Sequence, residues 1–150
     1  MCKKRKQREM IGSFGWAGVP VLACSDPRFD VMEPARLCRS RARVDRLRGE
    51  LSRQVPGSRR WARIMVEIGR CLSDIEDTRR RCHRRAARRI CSRYRAVLIE
   101  DPSLKAAAWG KAVGGAFDPA GFIRALRDEG ERAGTAVVIT TPLNEGKGGA

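Results

Sequence analysis

The chain has 150 residues, 42% of them hydrophobic, and carries 32 Lys and Arg against 17 Asp and Glu, a formal net charge of +15. That length suits one domain with a modest core and argues against two, while the charge favours polyanionic partners, nucleic acid first. Six cysteines, at 2, 24, 38, 71, 82 and 91, form no C-x-x-C pair and have the single His83 for company, so a zinc site is not expected. No apolar run reaches signal-peptide or membrane length, so secretion and membrane partners are disfavoured and reduced thiols in a cytoplasm are expected.

In chain order, residues 1–12 read as a basic tail. Val19 to Ser25, VPVLACS, predicts a strand that Pro20 demotes to an edge or a strand start. Residues 34–95 then predict a long antiparallel helical hairpin. Leu37, Val44, Leu47 and Leu51 recur at helical spacing, Val55-Pro56-Gly57-Ser58 breaks the pattern, and Ser58 is placed to cap a second helix. That helix keeps one apolar face from Trp61 through Ile64, Ile68, Leu72, Ile75, Ala86 and Ile90 to Tyr94, a length of roughly 50 Å at 1.5 Å per residue.

Between Arg36 and Arg95 stand 20 arginines, no lysine and six acids, so this segment holds nearly all the net charge. Arg59, Arg60 and Arg63 lie near the start of the second helix, and Arg79, Arg80, Arg81, Arg84, Arg85, Arg88 and Arg89 cluster near its end. A plain solvated face would pay for such clustering in self-repulsion. Phosphates would neutralise it, and the planar fork of arginine suits them. These ten arginines are therefore the candidate nucleic-acid contacts. His83, inside the cluster, reads as a helix-surface residue because no acid near it in sequence orients it, and Trp61 reads as packing rather than a stacking platform.

Ala96 to Glu100 predicts a short buried strand. Beyond the Gly-rich GKAVGGAF, Asp118 and Pro119 open a helix with Phe122, Leu126 and Ala133 on its apolar side, which closes at Gly134. Thr135 to Thr141, TAVVITT, is the strongest strand signal in the chain. Strand, helix and strand in that order predict a parallel βαβ unit and an α/β class with a helical insertion.

Four stretches in series carry a further likeness: GVPVLACSD (Gly18 to Asp26), EPARLCRSRARVDRLRGELSR (Glu33 to Arg53), the run from Gly57 to Lys105 that ends in AVLIEDPSLK, and FDPAGFIRALRDEGERAGTAVVITTP (Phe117 to Pro142). In this order and spacing they resemble the OrfB (TnpB) proteins of bacterial insertion sequences, transposase-family relatives of the type V CRISPR effector nucleases. The resemblance implies a partial RNase H-like (RuvC-like) domain over residues 13–142, followed by a tail at 143–150. It also implies an ancestral RNA-guided DNA endonuclease using Mg2+ or Mn2+, with DNA and possibly guide RNA as partners in a cytoplasmic, nucleoid-associated setting.

Glu100 matches that family's metal-binding catalytic glutamate, and Asp101 is then a turn residue. Asp118 also matches the family pattern but is accounted for as a helix cap. The sequence departs from the family at its first catalytic aspartate, expected in a Gly-x-Asp-x-Gly strand before Gly18. Here the residues are IGSFGWAGV, with Trp16 near the aspartate's place. The family's last aspartate and its four-cysteine zinc ribbon have no counterpart, so the expectation is a truncated or decayed copy. A single carboxylate does not fix two divalent cations. The alternative expectation is a non-enzymatic basic helical protein that binds RNA or DNA.

Overall fold

The computed structural model describes residues 9–17, 21–102 and 117–141. Its first element is a strand, β1 (Glu9–Trp16), so residues 9–12, read from sequence as the end of a tail, belong to the sheet. Period-two alternation explains it: Gly12, Phe14 and Trp16 are buried while Ile11 and Ser13 face outward. A three-residue strand, β2 (Leu22–Cys24), pairs antiparallel with β1, and a short 3-10 turn (Pro27–Phe29) leads away from it. The sequence-predicted strand over Val19 to Ser25 is thus shorter than expected, and Val19 and Pro20 lie outside the described residues.

Two helices come next, α1 (Ala35–Ser52) and α2 (Arg59–Arg93). Ser58 caps α2 as expected, its Oγ accepting from the N–H of Trp61 at 3.2 Å. Glu50 pairs with Arg60 at 3.1 Å and Arg43 pairs with Glu67, so contacts advance along one helix as they retreat along the other. The pair is therefore antiparallel. Leu37, Val44 and Leu47 of α1 close a seam with Ile64, Ile68 and Ile75 of α2. Burying each such side chain contributes about 1.5–3 kcal/mol, so this seam, rather than the exposed ion pairs at well under that each, holds the hairpin together.

The last third of α2 enters a second core. It runs directly into β3 (Tyr94–Glu100), which is followed by α3 (Pro119–Ala133) and β4 (Ala136–Thr140). The strand order is β2-β1-β3-β4, with β1, β3 and β4 mutually parallel, so the βαβ reading of the sequence holds. The described chain is thus an α/β protein with three helices and a four-stranded mixed sheet. Phe14, Trp16, Val97, Ile99 and Val137 share one sheet face and pack against Ala87, Ile90 and Cys91 of α2 and Phe122, Ile123 and Leu126 of α3.

Two devices fix the junctions. The Tyr94 ring lies over Gly12, where a Cβ would come within 2.9 Å of it, so β1 needs glycine there. Thr135 Oγ1 donates toward the carbonyls of Cys91 (3.0 Å) and Tyr94 (2.7 Å), tying the end of α2 to the start of β4 and satisfying a helix-terminal carbonyl. α3 ends at Gly134 in the left-handed region, φ 72°, as the sequence indicated. Ala133 is exposed, contrary to expectation, and Ile123 and Gly130 complete the buried side instead.

Candidate nucleic-acid interface and the Glu100 strand end

Arginine spacing on α2 decides which of the ten candidates act together. Arg81, Arg84, Arg85 and Arg88 are separated by three, one and three residues, which puts them on one helix face. All four are exposed. Among the described residues Arg81, Arg84 and Arg85 have no carboxylate partner, and Arg88 meets Glu129 of α3 at 3.5 Å. Arg59 and Arg63 are also exposed and unpaired among the described residues, on the same face about 30 Å away along the helix.

The remaining candidates are committed elsewhere. Arg79 is half-buried and pairs with Glu76 at 3.0 Å; Arg80 meets the same carboxylate at 3.3 Å, and Arg60 is held by Glu50. Arg89 donates to the Arg28 carbonyl at 2.7 Å and stacks its guanidinium 5.2 Å from the centre of the Phe29 ring. The exposed set that shares one face of α2, with only Arg88 paired to a carboxylate among the described residues, is therefore Arg59, Arg63, Arg81, Arg84, Arg85 and Arg88. Together they make a stripe about 44 Å long, more than one turn of duplex.

Glu100 lies at the carboxyl end of β3, where parallel sheets place their sites. Alternation puts its side chain on the sheet face opposite α2 and α3, with Leu98, Val138 and Ile11, the last two 47% and 55% exposed. The arginine stripe and the candidate metal ligand are thus on opposite sides of the sheet.

The neighbour across the strands is Gly15, not Trp16: a Cβ at position 15 would stand 3.3 Å from Glu100 Oε1. Trp16 points the other way. It is 3% exposed, its indole N–H donates to the Glu100 carbonyl at 2.8 Å, and its ring meets Phe117 and Phe122 edge-on at 6.0 and 6.4 Å. Its backbone N lies 3.4 Å from Glu100 Oε2. Among the described residues no group of three or more His, Cys, Asp or Glu side chains could hold a metal ion. Among the described residues this strand end offers no second carboxylate opposite Glu100, because the position facing it is Gly15, and one carboxylate does not fix a pair of divalent cations.

His83, expected on the helix surface, is buried at 4% exposure, stacked edge-on against Phe117 at 4.7 Å and Phe122 at 5.6 Å. The signal was present in the sequence: His83, Ala87 and Ile90 are spaced by four and three, so they share the face that α3 covers. Burial pushes its pKa down to about 4, with Arg79 acting in the same direction and Asp118 and Glu76 opposing. The imidazole is neutral at pH 7. Asp118 does sit at the N-cap of α3, but its side chain makes no capping hydrogen bond, and it lies 4.0 Å from Arg124. Trp61 is half-buried beside the hairpin turn.

No protein-family model matches the chain, and no curated protein matches it. Among the described residues no helix is long and apolar enough to cross a membrane.

Proposed function

We propose that the chain binds nucleic acid through the arginine stripe of α2, and that it is an OrfB/TnpB-like transposase-family protein whose RNase H-like nuclease centre is incomplete. The observation that carries the binding reading is the run Arg81, Arg84, Arg85 and Arg88, exposed on one face and paired, among the described residues, with a single carboxylate. Four guanidinium groups so close repel one another, and phosphates relieve that repulsion while releasing condensed counterions. The experiment is anisotropy of a labelled 20-base-pair duplex and the matching single strand over a salt series. Changing Arg81, Arg84, Arg85 and Arg88 to Ala together is expected to lower the duplex salt slope by about 3–4, at about 0.9 per lost phosphate contact. An unchanged slope sinks the assignment.

The descent is supported by the order of elements around Glu100 and by the parallel β1, β3 and β4. The incompleteness rests on Gly15 and Trp16. Purified chain is expected not to nick plasmid DNA with Mg2+ or Mn2+, and nicking that vanishes in Glu100→Ala would overturn this part. The register makes a further prediction. Gly15→Asp sets a second carboxylate beside Glu100, so its melting temperature should fall in chelator and recover with millimolar Mn2+, while the parent chain shows no such response. A variant indifferent to Mn2+ means that this strand end is not a decayed metal site. The Gly15 and Trp16 arrangement equally suits the second reading, a non-enzymatic basic helical protein that binds RNA or DNA.

A further inference from the structure

A cavity of about 430 Å³ lies between the Phe29 to Leu37 segment and one face of α2, beside the arginine stripe and sharing Arg85 with it. Its walls are Val31, Leu37, Ala86 and Ile90, with the rings of Phe29, His83 and Phe117, and its rim carries Arg85, Arg89 and Asp30, whose carboxylate is engaged by the Cys24 N–H at 2.7 Å. Three features define what it accepts. The volume lies within the range of small-molecule pockets and exceeds that of a single heteroaromatic ring system. The walls are apolar and aromatic, which suits a flat ring. Among the described residues the buried Nε2 of His83 has no hydrogen-bond partner, an arrangement that costs stability unless a ligand supplies one.

The mouth supplies a complementary charge. Arg89 is held in place by the Arg28 carbonyl and the Phe29 ring, so it is preorganised, and Arg85 has no carboxylate partner among the described residues. A flat heteroaromatic ring joined to an anionic group satisfies both ends of the cavity, and a nucleotide is such a molecule. Chain continuity then favours a nucleotide within a strand. Arg85 belongs to the phosphate-facing stripe and also to the cavity rim, so a strand running along α2 passes the mouth. Duplex bases are stacked and paired, whereas a single strand can turn one base inward at lower cost.

The geometry points to this cavity as a pocket for one unstacked base of a single-stranded nucleic acid, with the ring among Phe29, His83 and Phe117 and its phosphate at Arg85 and Arg89. The inference rests on the proposed nucleic-acid binding and adds a preference for single strands with bases over a bare phosphate chain. His83, which lines the cavity and is neutral at pH 7, has one donor and one acceptor nitrogen, the complement that a base edge requires.

The test compares two labelled probes over one salt series, a 20-nucleotide single strand and an abasic strand with the same number of phosphates, with free AMP and UMP as unlabelled competitors. The base-bearing strand is expected to bind about tenfold or more tighter than the abasic one, in the range that base–aromatic stacking supplies. Ala86→Leu, which fills the cavity, and His83→Phe, which keeps its shape but removes the nitrogen, are each expected to erase or reduce that preference. Both should leave abasic-strand binding and its salt slope as they were, with circular dichroism and melting temperature reporting that each variant folds. Competition by free AMP or UMP at millimolar concentration supports the pocket as a nucleotide site. Equal, salt-dependent binding of both strands by the parent chain, or a preference that survives both variants, overturns the cavity assignment and leaves the arginine stripe standing. Failure of both strands to bind overturns both readings.

Discussion

Replacing Trp16 by alanine is expected to cost about 3–5 kcal/mol of stability, among the largest losses of any single truncation in the described chain. The side chain is buried, faces Phe117 and Phe122, and donates its indole N–H to the Glu100 carbonyl. Truncation therefore opens a cavity where β1, β3 and α3 meet and removes a hydrogen bond between adjacent strand ends. Trp16→Phe keeps most of the ring packing and loses the N–H, so a loss of about 1–2 kcal/mol is expected. Urea unfolding of both variants at pH 7 measures the difference. If Trp16→Ala loses less than about 1 kcal/mol, the indole is not the clamp between these strands. The prediction has a functional edge. The clamp lies on the α2 and α3 side of the sheet, whereas its neighbour Gly15 is the position beside the Glu100 carboxylate, so the packing and the surroundings of Glu100 can be altered separately.

The same alternation of faces explains what the sequence made legible. The hairpin could be read because Leu37, Val44 and Leu47 face Ile64, Ile68 and Ile75 at regular spacing, and because Ser58 marks the start of its second helix. The parallel pair β3 and β4 could be read from apolar runs on either side of one capped helix. β1 could not, because two of its positions are glycines: Gly12 is small to admit the Tyr94 ring, and Gly15 faces Glu100. Neither requirement leaves a hydrophobic alternation in the sequence. That Gly15 rather than Trp16 lies beside the Glu100 carboxylate follows from strand pairing alone, since only pairing shows which of two neighbours shares its face.

The arginine cluster was legible as charge but not as geometry. Arg79, Arg60 and Arg80 read the same as Arg84 and Arg85 in sequence, yet Glu76 and Glu50 hold the first three, and the burial of Arg79 sets it apart from the outer stripe. Partners several residues away along a helix, or on the opposing helix, decide whether a cation is available to a phosphate. Composition establishes that the segment is strongly basic; helix phase establishes which of its arginines share one exposed face.

His83 is expected to make the protein sensitive to acid in a way that one substitution removes. Its pKa stands at about 4 in the folded chain, against an ordinary value of 6.5. Between these values the unfolded chain binds a proton that the folded chain does not, so stability is fully present above pH 6.5 and falls as the pH drops toward 4. By linkage the loss from this group is about 1.4 kcal/mol at pH 5.5 and about 3 kcal/mol at pH 4, then levels off below. The charged groups around the imidazole belong to more than one element. Glu76 and Arg79 are on α2, Asp118 is at the start of α3, and Asp30, Arg85 and Arg89 border the cavity that His83 lines. These groups are common to the parent chain and a His83→Phe variant, so the difference between the two isolates the imidazole. Urea unfolding at pH 7, 5.5 and 4 should show the variant gaining on the parent as the pH falls. A difference that does not change with pH means that His83 takes up its proton in the folded chain, which the packing of Phe117 and Phe122 around it opposes.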